Sequence, residues 1–125
     1  MTKVLLVALG GALGAALRYG TYLLATRFWA GALPLGTWIV NLSGCLLIGV
    51  LVPLLGRGTV PDGLHLFFVV GLLGAFTTFS TYSLETLTLL REGLVAMALL
   101  NALGSTALGL FCVWLGWHLG KMLVP

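Results

Sequence analysis

Charge is what this sequence has least of. Of its 125 residues only 7% are Asp, Glu, Lys or Arg, three acidic and six basic, while 60% are hydrophobic. A water-soluble domain carries about 25% charged residues. A chain with mean hydropathy +1.15 cannot cover a water-facing surface, so the composition specifies one integral membrane domain, residues 1–125. The basic residues stand singly, without the run or stripe that marks a nucleic-acid surface. Cysteine is also scarce. Cys45 and Cys112 lie in different apolar segments, with no metal-ligand spacing and no neighbouring His, and read as small packed hydrophobes. There is no Ser/His/Asp set of workable spacing and no HExxH. "GGALG" at Gly10 to Gly14 lies inside an apolar run rather than after a strand, so it is no phosphate loop. An enzyme is not expected.

What is present is apolar length. A helix needs about 20 apolar residues to cross a bilayer, and four segments qualify, at about 4–27, 34–55, 64–90 and 94–121. The first resembles a signal peptide at its start, but its apolar run continues to about Thr26, long enough to span. Short connections, "GRGTVPDG" and "REG" among them, make neighbouring helices antiparallel. Gly10 with Gly14 and Gly116 with Gly120 have the GxxxG spacing that lets helices approach closely in lipid.

Orientation is weakly encoded. With four spans, Lys3, Arg57 and Lys121 share one side, and Arg27 and Arg91 the other. Three positive charges against two allow two readings under the positive-inside rule: one weakly biased orientation, or dual topology with copies inserted both ways. Dual topology permits an antiparallel two-fold dimer.

The densest polar cluster falls where oil is expected. "GAFTTFSTYS", Gly74 to Ser83, places Thr77, Thr78, Ser80, Thr81 and Ser83 beside Phe79 and Tyr82 near the centre of the third segment. Hydroxyls and β-branched residues compete with helical hydrogen bonds. The pattern predicts a third helix broken near 74–79. Freed backbone at such depth persists only if buried in protein or lining a wet cavity. The carbonyl end of the first half suits a cation, and the amide end of the second suits an anion. Thr37 and Asn41, four apart on the second segment, and Asn101 and Ser105 on the fourth, predict polar tracks facing that break. Arg18 reads equally as an anion attractor in a vestibule or as a snorkelling side chain. Glu85 is either a structural partner of the third helix or part of an ion path.

"GGALGAALRY" (Gly10 to Tyr19), "GTWIVNLSG" (Gly36 to Gly44) and "GLLGAFTTFSTYSLE" (Gly71 to Glu85) resemble, in order and over nearly the whole length, the signatures of the CrcB or Fluc family of small fluoride channels. The resemblance implies a passive, fluoride-selective pore that exports fluoride from the cytoplasm across a prokaryotic inner or plasma membrane. It implies an antiparallel, dual-topology homodimer with two pores. It also implies a structural sodium ion at the dimer centre, held by backbone carbonyls of Gly74 and Thr77. Asn41 would line the pore, Phe79 and Tyr82 would form its aromatic box, and Ser80, Thr81, Ser105 and Thr37 would extend its polar track. Arg18 would face the entrance and Glu85 the pore edge. The chain departs from the family pattern at Tyr82, where phenylalanine is usual, at Asn101, often tyrosine, and at Gly109, where a hydroxyl is expected. Two other classes stay open: a small multidrug-type dual-topology exporter, which wants an acid in the first helix, and a non-transporting assembly subunit.

Overall fold

Long apolar runs leave their backbone amides no water to bond, so they satisfy themselves internally as helices. The computed structural model describes residues 1–55 and 61–123 and is all-helical over them, with four helices long and apolar enough to cross a membrane. Arg57 and most of the "GRGTVPDG" loop lie outside the described residues. Helix α1 covers Thr2–Phe28 and α2 covers Leu35–Leu54. The third span, Asp62–Arg91, has two pieces: α3, residues 62–76, and α4, Phe79–Arg91. The fourth, Val95–Leu123, is α5. Two stretches widen into π-helical turns, Leu66–Leu73 in α3 and Leu100–Gly104 in α5.

The ends follow local chemistry. Trp29 leaves α1 in an extended conformation, and its indole Nε1 donates to the Leu33 carbonyl at 2.9 Å, closing the loop to α2. Pro53 cannot donate to a helical ladder, and α2 stops one residue later. Between α4 and α5, Gly93 adopts φ 78°, the left-handed value that favours glycine. The Gly93 N–H bonds Leu90 O and the Leu94 N–H bonds Leu89 O, which closes the helix end as a Schellman motif.

Two seams hold the bundle together. Along the α1–α3 seam, a Cβ placed on Gly10 would overlap the Phe67 carbonyl. Along the α2–α5 seam, one on Gly116 would overlap the Leu46 carbonyl. Both seams therefore bring backbone against backbone, the contact that drives association in lipid, where apolar side chains gain nothing by leaving the tails. Few apolar side chains are buried: Val40, Leu73, Leu89 and Ala98 among the described residues. Leu5, Leu9, Leu13, Leu17 and Leu24 of α1 are exposed, as befits a surface solvated by lipid.

Candidate functional site

The interruption of the third span starts from one amide. The Thr77 N–H still reaches the Leu73 carbonyl at 3.1 Å, and the Thr77 hydroxyl donates to the same oxygen at 2.9 Å. The Thr78 N–H does not continue the ladder to Gly74. It donates to Asn41 Oδ1 at 2.8 Å, while Asn41 Nδ2 donates to the Thr78 carbonyl at 3.0 Å. A side chain of α2 thus pairs with both polar groups of one residue of the third span, as a neighbouring strand would. Thr77 (ψ 160°) and Thr78 (ψ 123°) are accordingly extended. The Thr78 hydroxyl then caps α4, accepting the Thr81 N–H at 3.3 Å and donating to Thr81 Oγ1 at 3.0 Å.

Beside this interruption lies an open groove of about 440 Å³. Asn41, Gly74, Thr77, Phe79, Tyr82 and Ser105 all border it, with apolar walls from Ile48, Leu73 and Leu110. Phe79 is 79% exposed, although it is one of the largest apolar side chains in the chain. Its ring lies 5.6 Å from that of Tyr82, tilted by 37°. The Tyr82 hydroxyl reaches α5, where it donates to the Ala102 carbonyl at 3.0 Å, inside the π-helical turn. Thr106 donates to the same carbonyl at 2.7 Å. The departure from phenylalanine at position 82 therefore anchors the ring to α5. Ser80 is exposed, its hydroxyl 3.4 Å from that of Thr78.

A second cavity of about 370 Å³ opens under the α1–α2 loop and holds Thr37, Thr81 and Glu85 together with Tyr22 and Trp29. The Thr37 hydroxyl donates to Glu85 Oε1 at 2.8 Å. Glu85 Oε2 is buried without a hydrogen-bond partner among the described residues. Arg18 is half-buried on α1, borders neither cavity, and has no ion-pair partner among the described residues.

Two expected tracks are corrected. Thr37 and Asn41 share a helix, but one turn apart they meet different levels of the third span, Glu85 and Thr78. Asn101 does not face the interruption with Ser105. Ser105 borders the groove, whereas Asn101, one turn earlier on α5, does not reach it. Asn101, 0% exposed, accepts from Trp38 Nε1 at 2.6 Å and donates to Thr86 Oγ1 at 2.9 Å, tying α2 and α4 to α5. Sequence reasoning missed this buried set and the role of Thr78. The available signal was an indole and an amide, each costly in hydrocarbon without a partner.

The family model described as "CrcB-like protein, Camphor Resistance (CrcB)" matches residues 5–117. A Thermus thermophilus protein named "Fluoride-specific ion channel FluC" is 49% identical over 124 residues, 99% of each chain. One of the same name from Methylobacillus flagellatus is 45% identical over 126 residues, 98% of this chain and 97% of the relative. Another from Paracoccus denitrificans is 50% identical over 118 residues, 92% of this chain and 91% of the relative.

Proposed function

The chain belongs to the CrcB-like family, and from that membership we propose that it is a passive, fluoride-selective channel of the plasma membrane that lets cytoplasmic fluoride leave down its electrochemical gradient. The observation that carries this reading is the groove at the interrupted third span, where an amide, hydroxyls and two aromatic rings converge between apolar walls. Fluoride is small and holds its water tightly, so a selective path must replace hydration with close donors while staying too narrow for larger anions. One Asn41 N–H is engaged by Thr78, which leaves the second for an ion. Ser80 and Ser105 add hydroxyls. Phe79 and Tyr82 offer ring edges, the positive part of the aromatic quadrupole. The Tyr82 proton is engaged on α5, so its ring edge rather than its hydroxyl faces the path. Thr37, Thr81 and Glu85 form the far edge of the path, and Arg18 draws anions toward its mouth.

The functional unit is an antiparallel, dual-topology homodimer, with the interruption at mid-membrane. The exposure of Phe79 supports a second copy closing the groove. A structural sodium ion fits the residues present. Withdrawal of the Thr78 N–H leaves the Gly74 carbonyl without its helical donor, and no hydrogen bond reaches the Thr77 carbonyl among the described residues. Such freed carbonyls at a half-helix end suit sodium. No cluster of three or more His, Cys, Asp or Glu competes for that role among the described residues. Gly74 and Thr77 from each copy would hold the ion, which would supply positive charge that fixes the interface.

A multidrug-type exporter is disfavoured, because α1 carries Lys3, Arg18 and Arg27 but no acid. Hydrogen fluoride enters cells neutral and ionises inside, so a passive exit for the anion suffices. The test is fluoride efflux from liposomes holding the purified protein, read by a fluoride electrode with chloride as control. Fast fluoride efflux with little chloride movement is expected. A folded dimer that passes no fluoride would leave an assembly role as the better reading.

A further inference from the structure

We infer that Asn41 is a positioning residue for the cation site as well as a pore donor, so that one side chain couples the two ions. The inference rests on the sodium reading above and starts from three facts. First, Asn41 Oδ1 takes the Thr78 N–H, the donor that would otherwise close on Gly74 O in a continuing α-helix. The Gly74 carbonyl is free because Asn41 holds that amide. Second, the peptide between Thr77 and Thr78 is trans, as are all the others described. In a planar trans peptide the N–H and C=O point in opposite directions. Fixing the Thr78 N–H toward α2 therefore turns the Thr77 carbonyl away from α2. Third, Asn41 Nδ2 holds the Thr78 carbonyl, which lies in the next peptide, so the backbone of Thr78 is fixed on both sides by one amide.

Both carbonyls assigned to sodium thus owe their freedom or direction to one amide on another helix. The same amide presents its remaining N–H to the groove. Asn41 stands to the cation as an outer-shell residue stands to a metal ligand, touching the ligand's peptide rather than the ion. Loosening such a residue typically lowers affinity about 10- to 100-fold. The coupling is reciprocal: a cation that holds the Thr77 peptide also holds the Asn41 amide in its fluoride-facing orientation.

The experiment is thermal melting of the purified full chain, titrated with sodium chloride against N-methylglucamine chloride, on wild type, Asn41→Leu and Asn41→Asp. The leucine keeps the branched shape but removes the acceptor, which lets the Thr78 N–H return to Gly74 O. The aspartate keeps the acceptor that holds that N–H off Gly74 O, while losing the pore donor and the bond to the Thr78 carbonyl. Wild type is expected to gain stability as sodium saturates. Asn41→Leu should need about 10- to 100-fold more sodium for half the gain. Asn41→Asp, which still holds the Thr78 N–H, should shift the half-point less than Asn41→Leu while its fluoride flux is lost. A sodium response in Asn41→Leu equal to that of wild type overturns the coupling and leaves the cation site standing. A wild type indifferent to sodium sinks the cation reading itself, and the coupling with it. Should Asn41→Leu fail to fold, Asn41→Asp decides: a half-point shifted as far as that predicted for leucine overturns the inference.

Discussion

The α2–α5 seam and the groove beside the third span are built from opposite materials. In the seam, a Cβ on Gly116 would overlap the Leu46 carbonyl and one on Gly49 would overlap the Val113 carbonyl, so contact comes from the absence of side chains. In the groove polar and aromatic side chains, Asn41, Ser105 and Tyr82 among them, come together, and Phe79 stands exposed beside it. At these glycines the seam brings backbone against backbone and offers a solute no side chain. Beside the groove a ladder bond is handed to a side chain, from Gly74 to Asn41. Lipid explains the division. Close backbone packing holds helices together there, whereas irregular backbone persists only around protein or a wet cavity.

The sharpest way to break the comparison is to fill the seam. Gly116→Val should overpack backbone with no side chain to yield, costing about 1–3 kcal/mol or more. Reduced yield and a lower melting temperature in detergent would show it. Equal stability would mean that the seam is looser than the geometry implies. The buried set between the two regions comes next. Asn101→Leu strands the Trp38 N–H and removes the donor to the Thr86 hydroxyl, which keeps its own bond to the Tyr82 carbonyl, a cost of about 1–3 kcal/mol. Adding Trp38→Phe and Thr86→Val should recover much of it, because apolar groups then replace all the partners. Failure of that recovery, read by melting, would assign Asn101 a further role.

Phe79→Ala sharpens the other side. Its exposed ring makes little intrachain packing, so the folded protomer should melt nearly as wild type does. A lost edge contact of about 1 kcal/mol at the barrier would slow fluoride efflux about fivefold. A variant that melts much lower and conducts normally would reverse the assignment of the two regions. The smallest effect is expected at the surface. Lys3 and Asp62 form an exposed ion pair at 4.0 Å. Exposed pairs contribute little, so Lys3→Ala should change neither melting nor flux measurably.

Much was legible before folding. Hydropathy alone gave four spans, because a lipid-crossing helix must be apolar over a fixed length. The hydroxyl cluster from Thr77 to Ser83 pointed to the third span, since polar groups in oil need a reason. Glycine pairs such as Gly10/Gly14 pointed to close packing without naming a partner. The partners were not legible. Nothing in the spacing joins Asn41 to Thr78, 37 residues apart, or Trp38 to Asn101, 63 apart. The π-turns over Leu100–Gly104 leave no mark in the apolar pattern, because a helix of leucines and glycines widens without changing its composition.

The sequence by itself determined that this is a membrane protein of four helices with polar matter in the third, for composition and length are local and additive properties. Tertiary structure decided which hydroxyls meet, which carbonyls go free, and that Thr37 and Asn41 face different cavities. Those outcomes depend on the height and rotation at which two helices lock, set by glycine contacts many residues away. A hydrogen bond works only within a fraction of an ångström of its proper length.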